Sequence, residues 1–315
     1  VSNRVLLLAT GDTIAQQPGL SHVASGKELL ALVGPVAAEV VVEDVLAEPS
    51  WDTSVSTMLA IARRAHAALT EDGFDGVVVT HGVDNLEETA FLTDLLVGPA
   101  AALGGIVFTG ATRLLDDPAS DGPRNLRSAL AVVADPAVRG AGALVCFDDD
   151  LHAARWARLA DPTRPAAFTS EPYPRLGAVV AGKAALVASP PPLHPRPPGE
   201  PETDVAVIRT YSGITAGVVN AVIDAGARGI VLEGSGAGNV PVEMFSSIIE
   251  LTHWEIPVVI APRVPVLGRS VGGAELAEKA GAILAPGMTA GHARVALMVA
   301  LGGGGVRAAR EMFRR

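Results

Sequence analysis

Short continuous runs of apolar residues recur along this chain, separated by stretches in which apolar residues return every three or four positions. The runs are Val5–Ala9, Val40–Val45, Val77–Thr80, Ile106–Thr109, Ala143–Phe147, Val205–Arg209, Gly229–Glu233, Pro257–Ala261 and Ala282–Ala285. Their length suits strands buried on both faces. The stretches with helical period include Ser54–Leu69, Leu86–Leu95, Asn125–Val133, Ala216–Ala225, Val242–Thr252 and Ala290–Leu301. Alternation of the two predicts an α/β protein with mostly parallel sheet covered by helices on both sides. One segment breaks the pattern. Ser189 to Pro201 holds seven prolines in thirteen residues, which excludes helix and central strand and predicts a stiff extended linker. The expected organisation is a larger doubly wound domain over residues 1–188, a linker over 189–204 and a smaller α/β domain over 205–315.

Composition narrows the function classes. The 315 residues are 49% hydrophobic and 18% charged, with a formal net charge of −10. That profile is globular and speaks against a nucleic-acid partner, which wants a basic face. The lone cysteine, Cys146, has no internal disulfide partner and fits a reducing compartment. The first apolar run spans five residues, too few for a signal-peptide core or a membrane span. The expectation is a cytoplasmic protein without a membrane partner. Seven histidines stand at no metal-ligand spacing, so no metal is expected. The glycine-rich stretch Gly234–Gly238 lacks the lysine of a phosphate loop and the dinucleotide spacing, so no nucleotide cofactor is expected either.

Chemistry concentrates in two places. Thr10-Gly11-Asp12-Thr13-Ile14-Ala15 follows the first apolar run, and Thr80-His81-Gly82-Val83-Asp84-Asn85-Leu86-Glu87-Glu88-Thr89-Ala90 follows the third. Both have the form strand, tight polar turn, helix. In parallel sheets ligands gather at the carboxyl ends of strands, so the two turns are candidates for one site. Each residue has two readings. Thr13 either caps the following helix or offers a hydroxyl nucleophile, which needs a base beside it. Asp84 is a strand-end cap or a ligand contact. Asp12 either satisfies a tight turn or supplies that base. His81 and His152 read as structural.

The two motifs resemble the signatures of the bacterial L-asparaginase family, TGGTIA and HGTDTxEET. The resemblance continues through Thr109-Gly110-Ala111 with Ser120 to Leu126, through His152-Ala153-Ala154-Arg155 with Ala167 to Ser170 and Leu176-Gly177, and through Glu233 to Val240, Arg263-Val264-Pro265 and Ala293-Arg294. It implies an amidohydrolase of two α/β domains that uses neither metal nor cofactor. It also implies a homotetramer of close dimers with sites at a dimer interface, and a small-molecule substrate. In the implied chemistry a threonine hydroxyl attacks the amide and forms an acyl-enzyme. A second threonine, an aspartate and a lysine handle protons, and a serine with a polar neighbour holds the amino-acid end of the substrate.

Carried over position by position, the nucleophile matches Thr13 and the aspartate matches Asp84. The second threonine is replaced by Val83, and the lysine position, nine residues before Phe168, is Leu159. Asp12 stands where the motif has glycine, and Asn85 where it has threonine. Ser50-Trp51-Asp52 resembles the substrate-holding segment, with a tryptophan where a smaller residue is usual. The lid position three residues before Gly26 is Val23. The expected catalytic residues are therefore Thr13, Asp84 and Asp12. The expected substrate contacts are Ser50, Trp51, Asp52, Gly82, Val83, Leu159 and Asn239. Loss of a hydroxyl and an amine from one proton-handling group predicts an enzyme acting on a substrate other than asparagine, in a specialised pathway such as natural-product biosynthesis. A catalytically inactive binding or regulatory protein is the alternative, and an ordinary L-asparaginase the third reading.

Overall fold

The computed structural model describes residues 3–17, 23–45, 48–268 and 272–314. The chain divides into two compact units, Val1–Arg196 and Pro197–Arg315. The division falls within residues 187–204, which carry neither helix nor strand.

The first unit runs β1 (Asn3–Ala9), α1 (Gly26–Val33), β2 (Ala38–Asp44), α2 (Val55–Thr70), β3 (Gly76–Thr80), α3 (Leu86–Val97), β4 (Gly105–Thr109), α4 (Gly122–Val133) and β5 (Ala143–Phe147). It continues through β6 (Asp150–Ala153), β7 (Arg158–Leu159), β8 (Phe168–Thr169), β9 (Gly177–Val180) and β10 (Lys183–Leu186). Eight strands form one sheet in the order β10-β9-β6-β5-β4-β3-β1-β2, and β7 pairs with β8 alone. Strands β2, β1, β3, β4 and β5 are mutually parallel. Strands β6, β9 and β10 extend the sheet with antiparallel pairing, an extension that apolar periodicity left unpredicted because these strands are only four residues long.

Alternate residues of the central strands build the two halves of the core. Leu6, Leu8, Val77, Val79, Ile106 and Phe108 face Ile61 and Ala65 of α2 and Leu86 and Ala90 of α3. Val5, Leu7, Val78, Val107 and Leu144 join Leu29 and Val33 of α1 and Leu126, Ala129 and Val133 of α4. Burying each such Val or Leu side chain stabilises the fold by roughly 1.5–3 kcal/mol relative to exposure. Polar residues set where the helices begin. Ser25 and Glu28 form a reciprocal capping box at α1, and the Ser54 hydroxyl accepts from the Thr57 N–H at α2, each satisfying amides that the helix leaves open.

The second unit runs β11 (Val205–Arg209), α5 (Gly217–Asp224), β12 (Gly229–Gly234), α6 (Met244–His253), β13 (Val258–Pro262), α7 (Gly273–Lys279), β14 (Ile283–Leu284) and α8 (Ala290–Met312). Its four strands are parallel in the order β11-β12-β13-β14. Helix α8 breaks at Gly304 and Gly305, whose backbone is not helical. The helical pattern to Leu301 ends where the glycine run starts, and the chain resumes a helix beyond it. Among the described residues no helix is long and apolar enough to cross a membrane.

Candidate active site

The connections leaving β1, β2 and β3 converge. These strands are neighbours in the order β3-β1-β2, and the chain turns in opposite directions from β1 to reach them. That is the topological position at which open α/β sheets bind ligands. Thr10 ties the ends of β1 and β3 together. Its hydroxyl donates to the Thr80 carbonyl at 2.6 Å, and its N–H donates to the Thr80 hydroxyl at 3.2 Å.

Asp12 is the hub of the cluster. Its φ of 68° and ψ of −162° lie in a region that L side chains rarely adopt. Such a residue costs on the order of 1–3 kcal/mol and persists only where its surroundings hold it. Here the carboxylate is held from two sides. Oδ1 accepts from the Thr13 N–H at 2.6 Å and from the Thr13 hydroxyl at 3.1 Å. Oδ2 accepts from the Ser50 N–H at 2.6 Å. The Ser50 hydroxyl in turn donates to Asp84 Oδ2 at 2.8 Å. Thr13, Asp12, Ser50 and Asp84 thus form one hydrogen-bonded chain across three strand ends. Gly82 closes it from below, since a Cβ there would lie 2.1 Å from Asp12 Oδ2 and 2.3 Å from Ser50 Oγ.

The other expected site residues take different places. Trp51 follows Ser50 in a short 3-10 turn and is 68% exposed, so its indole stands out into solvent rather than packing in the core. Asp52 is exposed beside it. Val83 is buried in the apolar cluster between β3 and helices α2 and α3, and Leu159 packs against that cluster, partly buried. Asn239 lies in the second unit. It ends a tight turn in which Asn239 and Ser235 exchange backbone hydrogen bonds of 2.8 and 2.9 Å. Gly234 is required there because a Cβ would sit 2.6 Å from the backbone of Gly238. Among the described residues the buried Asn239 Oδ1 has no hydrogen-bond partner. Of the lid, Val23 pairs with Gln16 in an isolated bridge, while residues 18–22 lie outside those described.

Two titratable groups, the buried His81 and the half-buried Glu87, frame the cluster. His81 directs Nδ1 at the Gly82 carbonyl, 2.9 Å away, and Nε2 at the Thr89 hydroxyl, 3.1 Å away. A carbonyl only accepts, so Nδ1 carries the proton and Thr89 donates to Nε2. Burial holds the His81 pKa below its ordinary value, against the Gly82 carbonyl and the charge of Asp12. The ring is a neutral brace for the Gly82 peptide. Glu87, on the first turn of α3, accepts the backbone N–H of Leu159. Burial pushes its carboxyl up to about 7, opposed by that N–H and by Arg158. Sequence reading passed Glu87 over. The sequence offers no local signal for it, since Glu88 stands next to it on the same first turn.

The arrangement presents a hydroxyl bonded to a carboxylate, which is the pairing needed to activate an alcohol as a nucleophile. Among the described residues no group of three His, Cys, Asp or Glu side chains is placed to hold a metal ion.

Comparison with known proteins bears on this geometry. The family model described as "Asparaginase, N-terminal" matches residues 4–192, and "Glutaminase/Asparaginase C-terminal domain" matches residues 204–313. The chain is 34% identical to "Probable L-asparaginase" of Deinococcus radiodurans, over 99% of this chain and 96% of that one. It is 30% identical to "L-asparaginase 2" of Escherichia coli, over 94% of this chain and 88% of that one. A crystal structure titled as a probable cytoplasmic L-asparaginase from Campylobacter jejuni superposes with a TM-score of 0.86 at 28% identity, over the whole of both chains. With both family models matched in order and the two sheets in their expected architecture, this chain belongs to the asparaginase/glutaminase family.

Proposed function

We propose that the protein is an amidohydrolase in which Thr13 is the nucleophile and Asp12 its base, acting on an amide other than asparagine. The observation that carries this reading is the Asp12 carboxylate, held at a left-handed φ and hydrogen-bonded to the Thr13 hydroxyl. In the proposed reaction the Thr13 proton passes to Asp12 as Oγ1 attacks the amide carbon. The C–N bond then breaks, with the proton delivered to the departing nitrogen, leaving an ester on Thr13. Water, deprotonated by the same carboxylate, hydrolyses the ester. Ser50 orients both acids, since its N–H binds Asp12 and its hydroxyl binds Asp84. Val83 and Leu159, where the resemblance implies a threonine and a lysine, belong to or pack against an apolar cluster and supply no proton. The same two residues support the second reading, a binding protein without turnover. Cys146, buried and free, supports a reducing compartment, and the resemblance supports a homotetramer.

The test is ammonia release from L-asparagine, L-glutamine and a panel of other primary amides, and amine release from a panel of secondary amides. General acid–base catalysis contributes roughly 10²–10⁴-fold. Against an ordinary turnover of about 10 per second, asparagine is expected to turn over at no more than about 0.1 per second. Val83→Thr or Leu159→Lys alone is expected to restore little, because such groups act as a unit. On an amide that does turn over, Thr13→Ala and Asp12→Asn each abolish measurable release. Asparagine turnover near 10 per second would refute the substrate reading. Full activity of Asp12→Asn would refute the assignment of the base.

A further inference from the structure

The way Asp12 is bound decides which ligands the site will accept, granted the reading above that the cluster around Thr13 is the site. A substrate carboxylate needs N–H and O–H donors or a cation to replace its water. At the junction of the three strands these donors are already engaged by the chain's own acids. The Thr13 N–H and hydroxyl and the Ser50 N–H all bind Asp12, and the Ser50 hydroxyl binds Asp84. Among the described residues no lysine or arginine pairs with Asp12 or Asp84. A carboxylate brought here would meet two carboxylates and find its donors taken. A cation would meet two acids instead. Trp51 follows Ser50 in the same short turn and is 68% exposed, an aromatic face available to cover a positive group and its carbon skeleton. Asp12 cannot be dismissed as a tolerated surface change. It occupies a φ of 68°, and its Oδ2 together with Ser50 Oγ fills the space that a Cβ at position 82 would take.

We propose that Asp12 acts as a specificity gate: it fills the position of a substrate carboxylate, so the site takes cationic amides that lack a free carboxylate, with Trp51 covering the positive group. The ligand class is an amine-bearing carboxamide, in which an ammonium or guanidinium lies against Asp84 and Trp51 while the amide carbon meets Thr13.

The test uses a matched pair that differs in one group. L-asparagine carries an α-carboxylate, and L-aspartic acid diamide carries an uncharged carboxamide in its place. Affinity is measured by calorimetry on the wild type and on Thr13→Ala, so that the outcome does not depend on turnover. The expected result is that the diamide binds at least tenfold tighter than asparagine. Asp12→Gly suits the backbone angle and frees the Ser50 N–H. It is expected to erase or invert that preference. Trp51→Ala is expected to weaken the diamide several-fold. Equal affinities, a preference for asparagine, or no diamide binding at millimolar concentration in the wild type would overturn the proposal. So would a preference that survives Asp12→Gly. These failures are separate from failure of the hydrolase reading. A protein that binds the diamide selectively but hydrolyses no amide keeps the gate and loses the enzyme. One that hydrolyses amides without this preference does the reverse.

Discussion

Glu87 makes the stability of this fold depend on pH in a direction opposite to that of most carboxylates. Its carboxyl is raised from 4.5 to about 7, chiefly by burial. Between those values the unfolded chain has released the proton while the folded chain still holds it. Stability therefore falls as pH rises through the window, and the full loss is present above about pH 7. At about 1.36 kcal/mol per pH unit the difference corresponds to about 3 kcal/mol. Because Glu87 is partly exposed, solvent screening reduces this to an expected ~2 kcal/mol. Glu87→Gln cannot ionise, yet its amide oxygen still accepts the Leu159 N–H. The variant should thus gain on the wild type by ~2 kcal/mol between about pH 4.5 and pH 8. His152 makes the measurement sharper. Burial lowers its pKa from 6.5 to about 4, with Arg175 acting in the same sense. For this group the unfolded chain takes up a proton that the fold refuses, so stability falls as pH falls through 6.5 towards 4. In the overlap of the two windows Glu87 and His152 oppose each other, and Glu87→Gln exposes the histidine slope. The assay is urea unfolding followed by tryptophan fluorescence at several pH values. A wild-type-minus-variant difference that stays within about 0.5 kcal/mol from pH 5 to pH 8 would refute the burial of this carboxyl.

Three further predictions probe other parts of the fold. Gly82→Ala places a Cβ 2.1 Å from Asp12 Oδ2 and 2.3 Å from Ser50 Oγ. Breaking the two charge-assisted hydrogen bonds there should cost on the order of 2–4 kcal/mol in denaturation and remove ligand binding, with far-ultraviolet circular dichroism unchanged. Wild-type stability in that variant would mean that the Asp12–Ser50 contact does not hold the turn. Cys146 is fully buried and burial pushes its thiol up to about 12. The native protein should then resist iodoacetamide at pH 8 and react once unfolded, and rapid native labelling by mass spectrometry would contradict its placement. Trp51→Ala should alter stability by no more than about 0.5 kcal/mol, since the side chain is exposed. A loss beyond about 1 kcal/mol would show that the indole packs against the fold instead of serving a ligand.

Much of this protein was legible in one dimension because central parallel strands are buried on both faces. Val5–Ala9 and Val77–Thr80 could be nothing else once helices followed them, and the order of polar motifs after them identified the strand ends that meet. The prolines between residues 189 and 201 likewise bar regular structure whatever surrounds them. The antiparallel extension β6-β9-β10 was hidden because four-residue strands with mixed burial have too little periodicity to announce themselves. Most of the active-site chemistry also needed three dimensions. The sequence places Asp12 beside Thr13, but only the folded chain brings Ser50, 38 residues away, to its other oxygen and Asp84 to the serine hydroxyl. Nothing local distinguishes Glu87 from Glu88. The packing of α3 against the sheet and the approach of Leu159 desolvate Glu87, and hydration is a property of the surroundings rather than of the residue.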